Sequence, residues 1–130
     1  MRNGAFAVVI NSKNQVLLVR SSTTKEYVDY WSFPGGVVEP DEHAKVGAAR
    51  EVFEEVGIEC LIEELIDESV NNDKNILISI FRAKYISGDI LLQEDEIVDA
   101  RWFSIEDGVN LPLAFNCRNI LLSIQSDLVI

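Results

Sequence analysis

The sequence contains few basic residues, and this scarcity excludes one class of partner. Lysine and arginine number 11 against 22 aspartates and glutamates, which gives a formal charge of −11. A chain this acidic lacks the excess of lysine and arginine with which proteins bind the phosphates of nucleic acid. We therefore expect no DNA or long RNA as a partner. A small phosphorylated substrate stays open, because bound metal ions would reverse the sign of the charge where its phosphates arrive.

Cysteines and long apolar runs are also scarce. Cys60 and Cys117 are the two cysteines, too few and too far apart for a disulfide scaffold or a zinc motif, so we expect buried thiols. No apolar run approaches the roughly 18 residues of a membrane-spanning helix, and residues 1–4 lead into a strand-like segment rather than a signal peptide. The sequence therefore predicts a cytoplasmic protein without membrane association. With 130 residues, 48% of them hydrophobic, we expect residues 1–130 to form a single domain.

The most informative segment is residues 36–58, GVVEPDEHAKVGAAREVFEEVGI. On a helix of about 100° per residue, one arc is apolar and comprises Ala48, Ala49, Val52, Phe53 and Val56. The opposite arc comprises Arg50, Glu51, Glu54 and Glu55. Acids three and four residues apart repel each other on a helix. A hard divalent cation would compensate, since Mg²⁺ binds carboxylate and phosphate oxygens; an ordinary solvated helix face is the alternative.

The same segment resembles the Nudix box of the Nudix hydrolases. That signature is glycine, five residues, glutamate, seven residues and then R-E-U-x-E-E-x-G-U, where U is aliphatic. Its fixed positions are filled here by Gly36, Glu42, Arg50, Glu51, Val52, Glu54, Glu55, Gly57 and Ile58. At average residue usage, a chance match is on the order of 10⁻¹⁰ per starting position. The preceding Trp31-Ser32-Phe33-Pro34-Gly35-Gly36 is also similar to the family's W-x-x-P-G-G; Asp41 departs from a common glycine at a turn position that tolerates aspartate.

The resemblance implies a metal site and a general base. Its Mg²⁺ or Mn²⁺ ligands would be Glu51, Glu54, Glu55 and the backbone carbonyl of Gly35. Either Glu51 or Glu54 would accept the proton of the attacking water. Arg50 would orient the carboxylates or brace the preceding loop through Glu42, and these two roles are compatible.

The resemblance also implies one further acidic metal ligand, but it does not fix which residue this is. Members of the family often bring another carboxylate from a loop before a late tryptophan-containing strand, and we choose Glu96, six residues before Trp102. Its neighbours Glu94, Asp95 and Asp99 leave the choice of acid open, with a simple charged loop as the alternative. We expect Trp31 and Trp102 to pack in the interior, and His43 to be a surface residue in the first helical turn.

The implied reaction is hydrolysis of a nucleoside diphosphate linked to another group. A nucleoside triphosphate or oxidised nucleotide is favoured, because Pro112 is the one proline after Ile58 and lies far from the position associated with ADP-ribose enzymes. ADP-ribose and dinucleoside polyphosphates are the alternative substrates. Phe6 and Arg20, with Lys25 and Tyr27, are candidates for a base pocket, packing or surface roles being the alternative.

Other classes of function are also considered. A Nudix-fold module that senses a nucleotide without hydrolysing it would be free to lose box glutamates, and none is missing here. An isoprenoid diphosphate isomerase needs a cysteine and acid pair, and neither cysteine lies in such a context. The apolar Leu128-Val129-Ile130 terminus would pack as readily in a homodimer as on its own domain.

Periodicity predicts a mixed α/β order of elements. We expect strands at 5–10 and 15–19 joined by a turn at 11–14, a loop to residue 30, a short strand at 31–33 and the helix of the box. Further strands are predicted at 60–66, 75–86, 89–92 and 100–103, so that most of the sheet would be C-terminal. A last helix would carry Leu113, Cys117, Ile120, Leu121 and Ile124. This order agrees with the Nudix fold, an α/β/α sandwich with a mixed β-sheet.

Overall fold

A computed structural model describes residues 1–22 and 28–128 of the chain. Its elements are β1 (Arg2–Ile10), β2 (Gln15–Ser21), β3 (Trp31–Ser32), β4 (Gly35–Val37), α1 (Ala44–Val56), β5 (Glu59–Asn71), β6 (Ile76–Ser87), β7 (Ile97–Ser104), α2 (Ile105–Val109) and α3 (Cys117–Leu128). Lys25, Tyr27, Val129 and Ile130, named above as candidates, lie outside the described residues. Within the described part of the chain, no helix is long and apolar enough to cross a bilayer.

The strands form one mixed sheet with β1 near its centre. The strand order is β3-β2-β1-β6-β5, while β4 also pairs with β1 and β7 with β2. β1 runs parallel to β6 over its whole length and antiparallel to β4 and β2. It meets β2 at one pair, Ile10 with Val16, because the two strands diverge from the hairpin turn. That divergence leaves an edge of β1 to which β4 adds the Gly35–Val37 backbone.

Side-chain alternation along β1 assigns its residues to two apolar layers. Ala7 and Val9 pack with Val52 and Val56 of α1 on one face. Val8 packs in a separate cluster on the other face, which includes three buried side chains of α3, Ile120, Leu121 and Ile124. The predicted α/β/α sandwich with a mixed sheet is confirmed.

Several predicted element boundaries need correction. The first hairpin is confirmed, and Asn11 orders its turn by accepting bonds from the N–H groups of Lys13 and Gln15, each at 3.0 Å. The strand predicted at 89–92 is wrong, because those residues bond to the end of α1 instead of to a neighbouring strand. The three strands after α1 have 13, 12 and 8 residues, and the four before it have 9, 7, 2 and 3, so more of the sheet is C-terminal, as predicted. β1 and β2 nevertheless lie inside the sheet. The last helix begins at Cys117, and Leu113 instead bridges to Trp31.

Candidate metal and catalytic site

Local capping sets where α1 begins and ends. His43 occupies the N-cap, and its Nδ1 accepts a hydrogen bond from the Lys45 N–H at 3.2 Å, which satisfies one of the free donors of the first turn. Gly57 terminates the helix in the left-handed conformation, φ 73°, and its N–H bonds to the Phe53 carbonyl. Glycine suits that position because it has no Cβ. The prediction of His43 as a first-turn surface residue agrees with this exposed cap.

The buried stripe of α1 differs from the predicted one. Gly47 is buried and Ala49 only partly so, but the larger differences are at Phe53 and Glu55. Phe53 was placed in the apolar arc but is 47% exposed, and Glu55 was placed in the charged arc but is only 7% exposed. Both lie at arc edges, since Glu55 is about 20° from Ala48 on the helical wheel and Phe53 about 140° from it. The acids therefore do not form one solvated face. Glu55 turns inward while Glu54 stays outside.

Glu55 is held against the loop that precedes the helix. Its Oε1 accepts a hydrogen bond from the backbone N–H of Gly35 at 2.9 Å. Burial raises the pKa of Glu55 to about 8; the bond from Gly35 opposes this rise, and the charges of Glu51, Glu94 and Glu96 add to it. Burial thus favours the protonated form of this carboxyl when no cation is beside it. A neighbouring cation would favour its ionised form.

Three further carboxylates converge beside Glu55. Glu51, Glu54 and Glu94 each present an oxygen within 4.8 Å of the others. Burial raises the pKa of Glu51, while its bond from Arg50 opposes the rise. Burial also raises the pKa of Glu94, with Glu51 and Glu96 adding to it. Such a group of oxygen donors, whose ionised forms are mutually repulsive, fits a hard divalent cation.

Glu94 was not the residue chosen from the sequence. Glu96 lies close enough for its charge to raise the pKa of Glu55, and its backbone carbonyl accepts the Ser22 N–H at 2.8 Å. The group of converging carboxylates nevertheless contains Glu94 rather than Glu96. The geometry favours Glu94 as the acid that the late loop contributes, and a ligand role for Glu96 stays a prediction.

The position of Glu94 is fixed by its neighbour Gln93, a residue that the sequence analysis did not single out. The Gln93 side chain donates to the Phe53 carbonyl at 2.8 Å, and its backbone N–H donates to the Glu55 carbonyl at 3.0 Å. Carbonyls in the last turn of a helix lack partners within the helix. The loop supplies them, and so it ties Glu94 to the helix that carries Glu51 and Glu54. No local pattern signals such a long-range bond.

Arg50 connects the loop to the acids. Its guanidinium donates two bonds to Glu42, at 2.7 and 2.9 Å, and one each to Glu51 and Glu54, both at 3.0 Å. A fifth bond reaches the Val37 carbonyl at 3.2 Å. The hydrogen bond from Arg50 lowers the pKa of Glu42. Both contacts anticipated for Arg50, with the acids and with the loop, are present together.

Two glycines allow the loop to approach the helix closely. A Cβ on Gly36 would lie 2.6 Å from the carboxyl carbon and from Oε2 of Glu51. One on Gly35 would lie 2.3 Å from the backbone oxygen of Ala5, and Gly35 has φ 157°. Gly35 is therefore required by the sheet, whereas Gly36 is required by the carboxylate beside it. The proposed Gly35 carbonyl ligand stays a prediction.

The other face of the sheet carries a cavity of about 510 Å³. Its lining includes Phe6, which was predicted as a substrate-binding residue, and does not include Arg20. Arg20 instead pairs with Asp29 at 3.5 Å and Asp99 at 3.8 Å, and its guanidinium lies 5.5 Å from the ring centroid of Trp31. A substrate contact by Arg20 stays a prediction.

Trp31 and Cys117 are buried as expected, whereas Trp102 and Cys60 are only partly buried. Trp31 is buried in the apolar cluster that includes the buried side chains of α3. Trp102 packs edge-on against Tyr85, with ring centroids 5.5 Å apart. Both cysteines are free thiols; Cys117 is buried and Cys60 is partly buried. Burial raises the pKa of each to about 11, so neither is set up as a nucleophile.

Comparison with known proteins agrees with this geometry. A sequence model described as NUDIX domain matches residues 1–122. A NAD-capped RNA hydrolase NudC of Pseudomonas aeruginosa is 39% identical over 108 residues, covering 83% of this chain and 38% of the relative. The chain thus spans about two fifths of the length of the curated relatives it matches.

Solved structures give the same picture. A MutT protein from Methanosarcina mazei has a TM-score of 0.79 and 26% identity, with 99% of this chain and 96% of the other covered. A C. elegans Ap4A hydrolase shares the fold at a TM-score of 0.76 and 21% identity, with 98% of each chain covered.

Proposed function

The chain belongs to the Nudix hydrolase family, and from this premise we propose that it is a Mg²⁺-dependent pyrophosphohydrolase. Its substrate would be a small nucleoside diphosphate linked to another group, cleaved at a phosphoanhydride bond. The observation that carries the proposal is the convergence of Glu51, Glu54 and Glu94 within 4.8 Å on a helix and loop tied together by hydrogen bonds. Mn²⁺ would serve in place of Mg²⁺, because both favour oxygen ligands.

The acids and Arg50 would have different roles in this reaction. Glu51, Glu54, Glu55 and Glu94 would hold the cation, which when bound neutralises phosphate charge and lowers the pKa of coordinated water. Arg50 holds the carboxylates of Glu51 and Glu54 through bonds of 3.0 Å.

Glu54 is the better placed of the two candidate bases. Its side chain is 47% exposed, against 16% for Glu51, so that water and substrate reach it directly. Each of the two carboxylates accepts one bond from Arg50, so the more exposed Glu54 retains free acceptor capacity for the proton of an attacking water.

The proposed substrate belongs to one of two classes. A nucleoside triphosphate or oxidised nucleotide is the first, from the absence of the proline associated with ADP-ribose enzymes. A dinucleotide diphosphate of the NAD type is the second, because the curated relatives are named NAD-capped RNA hydrolases. The charge of −11 favours the small substrate over the RNA chain.

A substrate panel with matched variants tests this proposal. Wild type, Glu54→Gln and Glu63→Gln would be incubated with Mg²⁺ and nucleoside triphosphates, 8-oxo-dGTP, ADP-ribose, NAD⁺, NAD-capped RNA and diadenosine polyphosphates. Glu63 is an exposed acid on β5, so Glu63→Gln controls for charge alone. Loss of a general base should reduce turnover by on the order of 10²–10⁴ in Glu54→Gln. Turnover equal to wild type in Glu54→Gln would remove Glu54 from the role of base.

The panel also tests the enzyme against a sensing module. Cleavage that requires Mg²⁺ and stops in EDTA supports a metal-dependent hydrolase. Tight nucleotide binding without cleavage of any member would instead support the nucleotide-sensing alternative.

A further inference from the structure

We propose that Tyr85 is a positioning residue of the metal site, because its hydroxyl fixes the start of the segment that carries Glu94. Tyr85 lies near the end of β6, and Glu94 lies in the segment between β6 and β7. The inference rests on the proposed function and deepens it, since it names what holds Glu94 beside Glu51 and Glu54. Tyr85 itself would contact neither metal nor substrate.

The segment at residues 88–96 has no regular structure that could place Glu94. It contains neither helix nor strand, so individual contacts decide its path. Three hydrogen bonds tie its middle to the last turn of α1. The Leu91 N–H donates to the Val56 carbonyl at 2.9 Å, and Gln93 makes the two bonds described above. Glu94 follows directly after the last of these contacts.

A separate contact fixes where the segment begins. The Tyr85 hydroxyl donates to the Gly88 carbonyl at 2.7 Å. The Tyr85 ring lies edge-on to Trp102, with ring centroids 5.5 Å apart, and both rings pack on the buried cluster that includes Val56 of α1. Because this packing holds the ring, its hydroxyl presents a fixed donor to Gly88.

Gly88 brings the start of the segment into close contact with the end of α1. It has φ 105°, in the region that favours glycine, and a Cβ on it would lie 2.5 Å from the Gly57 carbonyl oxygen. A Cβ on Gly57 would lie 3.1 Å from the side-chain nitrogen of Gln93 and 3.5 Å from the Asp89 carbonyl oxygen. The segment therefore wraps around Gly57, and a shift at Gly88 has to move the residues that follow it.

The carboxylate of Glu94 depends on this backbone for its position. It converges with the carboxylates of Glu51 and Glu54, and like charges repel each other instead of holding each other in place. Residues that orient a metal ligand influence metal affinity without touching the metal. The bond from Tyr85 would do so through the segment, so its removal should allow Glu94 to leave the other two acids.

The test measures Mn²⁺ affinity by electron paramagnetic resonance in wild type, Tyr85→Phe, Glu94→Ala and the double variant. Tyr85→Phe removes the hydroxyl and keeps the ring. Ser87→Ala is the matched control, because Ser87 lies at the same end of β6 but its hydroxyl donates to Glu59 on β5, at 3.3 Å. The control thus removes a side-chain bond that does not reach the segment.

We expect Tyr85→Phe to weaken Mn²⁺ binding by about two- to tenfold, the usual effect of one hydrogen bond, and Ser87→Ala to bind as wild type does. In the Glu94→Ala background, Tyr85→Phe should have no further effect, because the ligand that it positions is gone. Equal weakening with and without the Glu94 carboxylate would overturn the inference, as would unchanged affinity in Tyr85→Phe.

A second measurement uses the metal-free protein in EDTA. The N–H groups of Leu91 and Gln93 should exchange with solvent about two- to tenfold faster in Tyr85→Phe, because local opening of the segment becomes easier. The N–H of Val8 on β1 should accelerate less, since β1 lies inside the sheet. Equal acceleration at Val8 would show a general loss of stability and would contradict a positioning role.

The proposed function fails separately. Coupling between Tyr85 and Glu94 in Mn²⁺ binding, combined with no hydrolysis of any substrate in Mg²⁺, would refute the enzyme and leave the positioning role standing. Hydrolysis in Mg²⁺, combined with wild-type Mn²⁺ affinity in Glu94→Ala, would overturn the positioning role and leave the enzyme standing.

Discussion

Gly36→Ala should reduce catalysis while leaving the fold largely intact, because the added methyl group would meet the side chain of Glu51 and no backbone atom at clash distance. The added methyl group would lie 2.6 Å from the Glu51 carboxyl carbon and from its Oε2, and 3.1 Å from Oε1. Real Cβ atoms essentially never come within 3.0 Å of another heavy atom, and ordinary contact begins at 3.4 Å. The Glu51 carboxylate would therefore have to move by nearly 1 Å. No backbone atom within the clash distance has to move with it.

The displacement of the Glu51 carboxylate should reduce activity more than it reduces stability. A flexible side-chain end adjusts by changing rotamer, and an off-rotamer torsion costs about 0.5–1.5 kcal/mol, so the free energy of unfolding should fall by about 1 kcal/mol. A displacement of about 1 Å at a catalytic group can cost on the order of 10²-fold in rate. That factor corresponds to about 2.7 kcal/mol of transition-state stabilisation. The loss of activity should therefore exceed the loss of stability by a wide margin.

The assay would measure hydrolysis of the preferred substrate in Mg²⁺, together with urea denaturation in EDTA and Mn²⁺ affinity by electron paramagnetic resonance. Gly108→Ala is the matched control: its Cβ would make ordinary contact with Leu121 at 3.4 Å, and alanine in α2 should raise stability by about 0.5–1 kcal/mol. Gly35→Ala, which meets backbone, should instead destabilise the fold. Wild-type turnover and Mn²⁺ affinity in Gly36→Ala would refute the placement of Glu51 in the metal site.

Three further predictions follow from the same region and from the core. Gln93→Ala should weaken Mn²⁺ binding by roughly 10–100-fold, the usual effect of losing a residue that orients a metal ligand. Asn110→Ala, which removes a similar side-chain bond of 3.0 Å to the α2 carbonyl of Glu106, should leave Mn²⁺ binding unchanged. Equal effects in the two variants would contradict the role of Gln93 in positioning Glu94. Burial raises the pKa of Glu55 from 4.5 to about 8, so in EDTA its contribution to stability is complete below about pH 4.5 and is lost as the pH rises through 8. Urea denaturation from pH 5 to 9 should show a shallower decline in Glu55→Gln than in wild type, and parallel curves would argue against the buried carboxyl. Burial raises the pKa of Cys117 to about 11. In a Cys60→Ser variant, a chromogenic thiol reagent at pH 8 should therefore react with Cys117 only when the protein unfolds. Immediate reaction with the folded protein would contradict the burial of Cys117.

Local chemistry explains why the helix of the box could be predicted. The apolar residues Ala48, Val52 and Val56 recur at helical spacing and are all buried. Gly57 follows them in the left-handed conformation that glycine favours at a helix end. Every one of these signals lies within a few residues of the feature it specifies. The prediction failed most clearly at Phe53 and Glu55, on the edges of the apolar arc, where tertiary contacts decide the outcome.

The remaining features depend on contacts between distant residues. Glu94 joins the acids because Gln93 bonds to Phe53, 40 residues earlier in the chain. β4 is a strand because the divergence of β1 from β2 leaves an edge for Gly35–Val37 to pair with. Neither composition nor periodicity contains these distances. A run of acids such as residues 94–96 therefore identifies the loop but not which of its carboxylates faces the helix.

The acidic repulsion predicted from spacing is compensated unequally within the folded chain. Arg50 bonds to both Glu51 and Glu54, and the Gly35 N–H bonds to Glu55. Among the residues that the structure describes, no lysine or arginine bonds to Glu94. The raised pKa values of Glu51, Glu55 and Glu94 indicate that these contacts do not offset burial and mutual repulsion. A fold that keeps carboxylates together against this cost holds the oxygens in place before a cation arrives. Binding of the proposed cation would then need little rearrangement of the protein, because Arg50, Gly35 and Gln93 already order the site.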